Sequence, residues 1–179
     1  MGEAAPGKCG QRWRQEDGRG TPDANMRALF RMLKAADAHW RPSNQMKVEN
    51  TDLGRQLGAE TFAARLWRLR PGQASTRHRH SGTAELYVLL EGMGRMRVDD
   101  ELLTLAPLDT VFVEPPHLRQ LFNDTESEQL WLIAGAPSEA ANTLEMTDEE
   151  LRRLYPDGPR AMPPELGGRD FDPNQEETR

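Results

Sequence analysis

Between Met46 and Ala134 the chain breaks into short runs of β-branched, aromatic and aliphatic residues, separated by glycine, proline and acidic turn residues. The runs are 46–49, 61–70, 84–90, 94–98, 101–105, 109–113, 119–123 and 129–134. Asp99-Asp100 sits between two of them as a hairpin turn. Even spacing of this kind predicts a small all-β sandwich or barrel, with no room for a helical core. Along residues 85–90 the two faces read Glu85, Tyr87, Leu89 and Leu86, Val88, Leu90. Both faces are largely apolar, so this strand is expected to be covered on both sides, by a helix or by a second subunit.

Around this block, residues 1–22 are rich in glycine and charge and read as a disordered tail. Asp23 is placed to cap a helix carrying Met26, Leu29, Phe30, Leu33 and Ala36 on one side, giving a helix and linker over 23–45. Arg27, Arg31 and Lys34 fall on its other side, and such a helix is expected to pack on its own domain. The barrel is expected over 46–137. Beyond it, Thr147 and Glu150 form a capping box ahead of Leu151, Leu154 and Tyr155, so 138–179 reads as a C-terminal helix and an extended acidic tail. A net charge of −6 and a pI near 5.3 argue against nucleic acid or an anionic membrane as partner. The single cysteine, Cys9, fits a reducing cytoplasm, and no apolar run is long enough to span a bilayer.

The chemistry concentrates in GQASTRHRHSGTAELYVLLEG, residues 72–92. On an extended chain residues i and i+2 share a face, so the Cβ atoms of His78 and His80 would lie roughly 6.5–7 Å apart. Two imidazoles can close that span onto one ion, and a turn at Gly82-Thr83 can return Glu85 beside them. Two histidines and one carboxylate suit a divalent metal that keeps open positions.

Gly72, His78, His80, Glu85 and Gly92 resemble the first motif of the cupin superfamily at each of its fixed positions. The resemblance covers about Leu66 to Ala136 and implies a double-stranded β-helix, the jelly-roll barrel of a single-domain, conserved-barrel protein, with a helix on either side. It implies a divalent metal (iron, manganese, nickel or zinc) on His78, His80 and Glu85, a small-molecule ligand in the barrel and a homodimer. Dioxygenation, isomerisation, cyclisation and decarboxylation are the reactions that come with it. The other reading is a non-catalytic binding or sensing protein with a degenerate, metal-free site. Tyr87, Leu89, Met96, Phe112 and Trp131 are the candidate walls of the pocket.

The second motif of that superfamily is nearly absent. In the segment 108–123, Leu108 stands for its first glycine, Glu114 for its proline and Pro116 for its second glycine. Asn123 alone matches, and Arg119 occupies the place of the usual fourth ligand, a histidine. A guanidinium has no lone pair to give a metal and carries a positive charge. At ~5 Å and an effective dielectric near 20, each unit charge beside it costs about 3 kcal/mol. Three arrangements follow. Arg119 pairs with Glu85 in place of a metal, or it points away while the three ligands hold the ion, or His117 swings in as a substitute. With a metal bound, Arg119 would suit a substrate carboxylate.

Overall fold

Strands form in the computed structural model almost wherever the sequence runs predict them; residues 30–139 and 143–173 are described. The chain divides into a unit of residues 1–31, of which only Phe30 and Arg31 are described, and the unit of residues 32–179 treated below. Its strands are β1 (Arg41–Pro42), β2 (Glu49–Asp52), β3 (Ala63–Leu69), β4 (Ala84–Glu91), β5 (Gly94–Val98), β6 (Glu101–Leu105), β7 (Thr110–Val113), β8 (Arg119–Phe122) and β9 (Gln129–Ala136). A six-stranded sheet runs β1-β2-β3-β9-β4-β7, and a three-stranded sheet runs β6-β5-β8, with every pairing antiparallel.

Register decides what faces inward. In the large sheet Arg41 pairs with Asn50, Asn50 with Trp67, Trp67 with Trp131 and Trp131 with Leu89. The next inward row is Asp52, Arg65, Ile133, Tyr87 and Val111, and the next Ala63, Gly135, Glu85 and Val113. Against these, the small sheet presents Met96 and Leu121. The core between the sheets is Leu69, Leu89, Met96, Val113, Leu121 and Trp131, joined by Met46 and Val48. A fully buried leucine such as Leu69 or Leu89 contributes roughly 2 kcal/mol of transfer free energy.

Three expectations are corrected. The run 46–49 is not itself a strand: Lys47 has φ +57, so β2 starts at Glu49, while Met46 and Val48 drop into the core. The histidine segment is irregular, tied to the small sheet by isolated bridges of Ala74 to Phe122 and His78 to Arg119. The expected helix over 23–45 lies outside the described residues up to position 29. From Phe30 to position 45 the described chain of that helix and linker holds only one 3-10 turn, Ala35–Asp37, and β1, where Arg41 pairs with Asn50. The C-terminal segment packs on the domain surface as far as it is described. The short helix α1 (Leu53–Gln56) follows β2, and α2 (Asp148–Leu154) carries the expected capping box. Beyond α2, Met162, Leu166 and Phe171 pack on the core cluster, Arg97 pairs with Glu165, and Gln120 Nε2 donates to the Ala161 carbonyl.

Two features of the motifs have backbone causes. Gly92 has φ +85, and a Cβ there would sit 2.4 Å from the Glu128 carbonyl oxygen, so only glycine fits. Leu108, where the superfamily has glycine, keeps the glycine conformation. Ala106-Pro107-Leu108-Asp109 closes with Asp109 N–H donating to Ala106 O at 3.0 Å, and Leu108 has φ +75. This is the type II turn position that favours glycine. Leu108 is 75% exposed, so its side chain returns little burial. A left-handed leucine costs roughly 1–2 kcal/mol, and glycine's extra freedom in the unfolded chain takes back about half. Leu108→Gly is therefore expected to raise stability by up to ~1 kcal/mol, read from urea unfolding midpoints; a loss of stability would contradict the strain.

Candidate metal centre and ligand cavity

His78 and His80 approach from the irregular segment, and Glu85 rises from the start of β4 into the same space. One ligand atom from each lies within 4.8 Å of the other two. His78 Nε2 is 3.9 Å from Glu85 Oε2, and His80 Nε2 is 3.2 Å from Glu85 Oε1. The backbone also fixes which nitrogen each ring turns inward. His78 Nδ1 lies 3.0 Å from the Thr76 carbonyl oxygen, so it carries the proton and leaves Nε2 its lone pair. His80 Nδ1 lies 3.1 Å from Glu139 Oε2, whose carboxylate also accepts from the Ser81 and Gly82 N–H groups. His80 Nε2 is buried and has no hydrogen-bond partner among the described residues, its approach to Glu85 being off the line of a hydrogen bond. An inward Nε2 backed by a carbonyl or carboxylate on Nδ1 is the arrangement of metal-ligating histidines, so the donor set fits a divalent ion.

Protonation favours His78 and Glu85 as donors, while His80 is drawn the other way. Burial, opposed only in part by the Glu85 charge, lowers His78 to about 4, which keeps its ring neutral at ordinary pH. Burial pushes Glu85 up, but His80, the His78 charge and the Tyr87 hydroxyl carry it down to about 2, so it is ionised. His80 is also opposed by burial, yet Glu85 and Glu139 raise it. Gly135 makes room for this crowding: a Cβ there would meet Thr83 Cγ2 at 2.8 Å and Glu85 Cγ at 3.1 Å.

Arg119 stands behind Glu85 and does not reach the cavity. Its side chain is 1% exposed, with Nε 3.7 Å from Glu85 Oε2. Nη1 donates to Pro115 O at 3.2 Å, and Nη2 to Val113 O at 3.3 Å and Glu114 O at 2.8 Å. These bonds leave it no fork for a substrate carboxylate, which corrects the expectation of a substrate contact. The Tyr87 hydroxyl donates to Glu85 Oε2, the oxygen that also faces Arg119. His117 is not brought to the cluster: it is half exposed, with Nδ1 2.6 Å from Asp99 Oδ2. Asn123, the matched residue of the second motif, is a brace, donating to Leu69 O and Ser127 O and accepting from Thr125.

The cluster opens on a cavity of about 150 Å³. Of the five walls expected from the sequence, Tyr87 alone lines it. Leu89, Met96 and Trp131 lie deeper, fully buried in the core, and Phe112 is on the outer face, 60% exposed. Phe112 pairs with Leu86, which sets it on the face opposite Glu85 and Tyr87. The walls that the sequence reading missed include Arg41, Asn50, Arg65, Trp67, Glu139 and Tyr155. Tyr155 follows α2 and stands with its ring 6.0 Å from that of His78, while the Arg79 N–H donates to the Leu154 carbonyl. The C-terminal helix therefore closes one side of the site.

Residues 65–134 match the family model of the cupin domain. Among solved structures, the chain resembles a sugar phosphate isomerase from a cupin superfamily of Silicibacter pomeroyi, at 22% identity over 60% of this chain and 76% of that one, with a TM-score of 0.55. It also resembles a predicted oxalate decarboxylase from Thermotoga maritima, at 18% identity over 60% of this chain and all of that one (TM-score 0.54). A third is a cupin protein from Bacteroides fragilis, at 20% identity over 67% and 94% of the two chains (TM-score 0.52). No curated protein matches. Such likeness carries the fold, a double-stranded β-helix. No helix among the described residues is long and apolar enough to cross a membrane.

Proposed function

We propose that this chain, whose residues 65–134 match the family model of the cupin domain, binds a divalent metal on His78, His80 and Glu85 and a small organic ligand in the adjoining cavity. The observation that carries this is the inward Nε2 of His80, buried, unpartnered and 3.2 Å from Glu85 Oε1. Iron, manganese, nickel or zinc held there would supply a Lewis acid or, for the redox-active ions, an electron-transfer centre with open positions. The chain's own residues hold the donors in place. Thr76 and Glu139 fix the two rings, and Tyr87 and Arg119 fix the Glu85 oxygen that His80 does not face. The reactions open to such a centre are those of a dioxygenase, an isomerase or a cyclase.

One observation favours a second reading. The Arg119 charge already neutralises Glu85 in the buried site, which suits a metal-free, non-catalytic binding or sensing protein. Elemental analysis of protein purified without a metal-binding tag, with a thermal melt in added Mn²⁺, Fe²⁺, Ni²⁺ or Zn²⁺, decides between them. About one equivalent of metal per chain and a raised melting temperature are expected. No metal and no shift would leave the metal-free reading.

We also propose a homodimer, working in the cytoplasm. It is supported by the outward face of the large sheet, where Leu66, Val88, Leu132, Leu86, Ala134 and Phe112 form an apolar surface. Light scattering of the same sample should give about twice the chain mass of 20.3 kDa.

A further inference from the structure

The charged groups lining the cavity are matched in pairs, with one exception. Arg65 Nη2 is 2.7 Å from Asp52 Oδ2, His80 faces Glu139, and Glu85 is backed by Arg119. Arg41 lines the same cavity from β1 and has no carboxylate partner among the described residues. Among the described residues its guanidinium makes one hydrogen bond, from Nη1 to the carbonyl of the next residue, Pro42, at 3.3 Å. Register explains its position, since Arg41 pairs with Asn50, and both stand on the inward face in the row of Trp67.

Asn50 supplies a second, independent observation. It is 1% exposed and lines the cavity, and its Nδ2 donates to Arg41 O at 3.2 Å and Val48 O at 3.4 Å. Those two carbonyls fix which amide atom is nitrogen, and they leave Oδ1 as a buried acceptor with no donor. An unsatisfied buried acceptor costs about 1–3 kcal/mol unless a donor reaches it. A lone cation and an unfilled acceptor on paired residues of adjacent strands together describe one ligand. It has an oxyanion for the guanidinium and a hydroxyl for the amide oxygen.

We infer that the cavity takes a small hydroxylated organic acid, whose anionic group seats on Arg41 and whose hydroxyl donates to Asn50 Oδ1. This rests on the reading that the cavity binds a small organic ligand, and it names that ligand's class. A carboxylate and a phosphate monoester share the oxyanion chemistry, and the test separates them. Arg119, spent on three carbonyls, plays no part; the acid-binding arginine is Arg41.

The experiment is isothermal titration of the full chain with glycerate, glycerol 3-phosphate and glycerol, using metal-loaded and chelator-stripped protein whose metal content is measured in the same sample. One of the two anions is expected to bind at least about tenfold more tightly than glycerol, and the tighter one identifies the acid group. Arg41→Gln is expected to weaken that anion on the order of tenfold to a hundredfold while leaving glycerol unchanged, the usual effect of losing a charged hydrogen bond. Arg41→Lys, which keeps the charge, should retain part of the preference. Arg41 is on a two-residue edge strand, and its guanidinium makes one local hydrogen bond among the described residues, so the Arg41→Gln melting temperature should match the wild type. Anion binding that survives Arg41→Gln unchanged, or that vanishes in stripped protein while Arg41→Gln has no effect on loaded protein, would place the anion on the metal and overturn the inference. So would binding of none of the three probes. In each of these cases the measured metal content tests the metal reading separately.

Discussion

Arg119→Ala is expected to lower stability by about 3–5 kcal/mol, the cost typical of breaking a buried ion pair from one side. In a chain of this size that is a fall of roughly 10 °C in melting temperature. The substitution removes the donors of Pro115, Val113 and Glu114 carbonyls at one stroke and takes the cation from behind Glu85. Glu85 keeps the Tyr87 hydroxyl and the neighbouring His80, which sets the loss toward the lower end of the range. The same substitution should tighten metal. A dication near Glu85 feels the guanidinium at about 3 kcal/mol for each unit charge at ~5 Å, so relief of that repulsion is worth at least tenfold in affinity. The variant should therefore gain more melting temperature from Mn²⁺ or Zn²⁺ than the wild type does. Arg119→His should tighten metal further by adding a donor nitrogen, although an imidazole cannot replace all three carbonyl bonds. An Arg119→Ala protein as stable as the wild type would show that the buried pair and its carbonyl bonds contribute nothing.

Those particulars show what the sequence displays and what it hides. His78, His80 and Glu85 are legible because the chemistry needs three donors within a short stretch, and an extended chain alternates its side chains whether or not it joins a ladder. The wall residues are not legible in that way. β7 reads Thr-Val-Phe-Val, apolar on both faces, so only its pairing with β4 shows that Val111 and Val113 point in and Phe112 points out. Leu89, Met96 and Trp131 have the right parity but stand too deep, in the row that fills the core. Arg41, Asn50 and Arg65 reach the cavity through strand pairing far along the chain, and Arg41-Pro42 reads locally as the end of a helix. Glu139 lies beyond the last strand, where no periodicity marks it, yet it orients His80. The left-handed Leu108 is legible only as a departure from a motif; its turn geometry shows a leucine held in the conformation that favours glycine.

The second large effect is expected at Glu85. Glu85→Gln keeps the shape and removes the charge that Arg119, Tyr87, His78 and His80 share. Metal affinity should fall about a hundredfold or more, beyond the 10–100-fold typical of losing a supporting partner, because a ligand itself is replaced. Stability should fall as well, since the substitution leaves the Arg119 guanidinium buried without its counter-charge. The pH dependence gives an independent check. The folded Glu85 carboxyl is held near 2 against a normal 4.5, so below about 4.5 the unfolded chain binds more protons at this position than the folded one. Metal-free wild-type protein should therefore lose stability as the pH falls from 4.5 toward 2, and Glu85→Gln should lack that part of the slope. Pairing Glu85→Gln with Arg119→Met closes the argument. If the two charges exist for each other, the double variant should lose less than the sum of the two single losses, with a coupling of about 1–3 kcal/mol. A double variant whose losses simply add would mean that Arg119 serves the three carbonyls and not Glu85. The metal-free pocket would then lose its supporting ion pair, leaving the three-ligand metal site as the reading that accounts for Glu85.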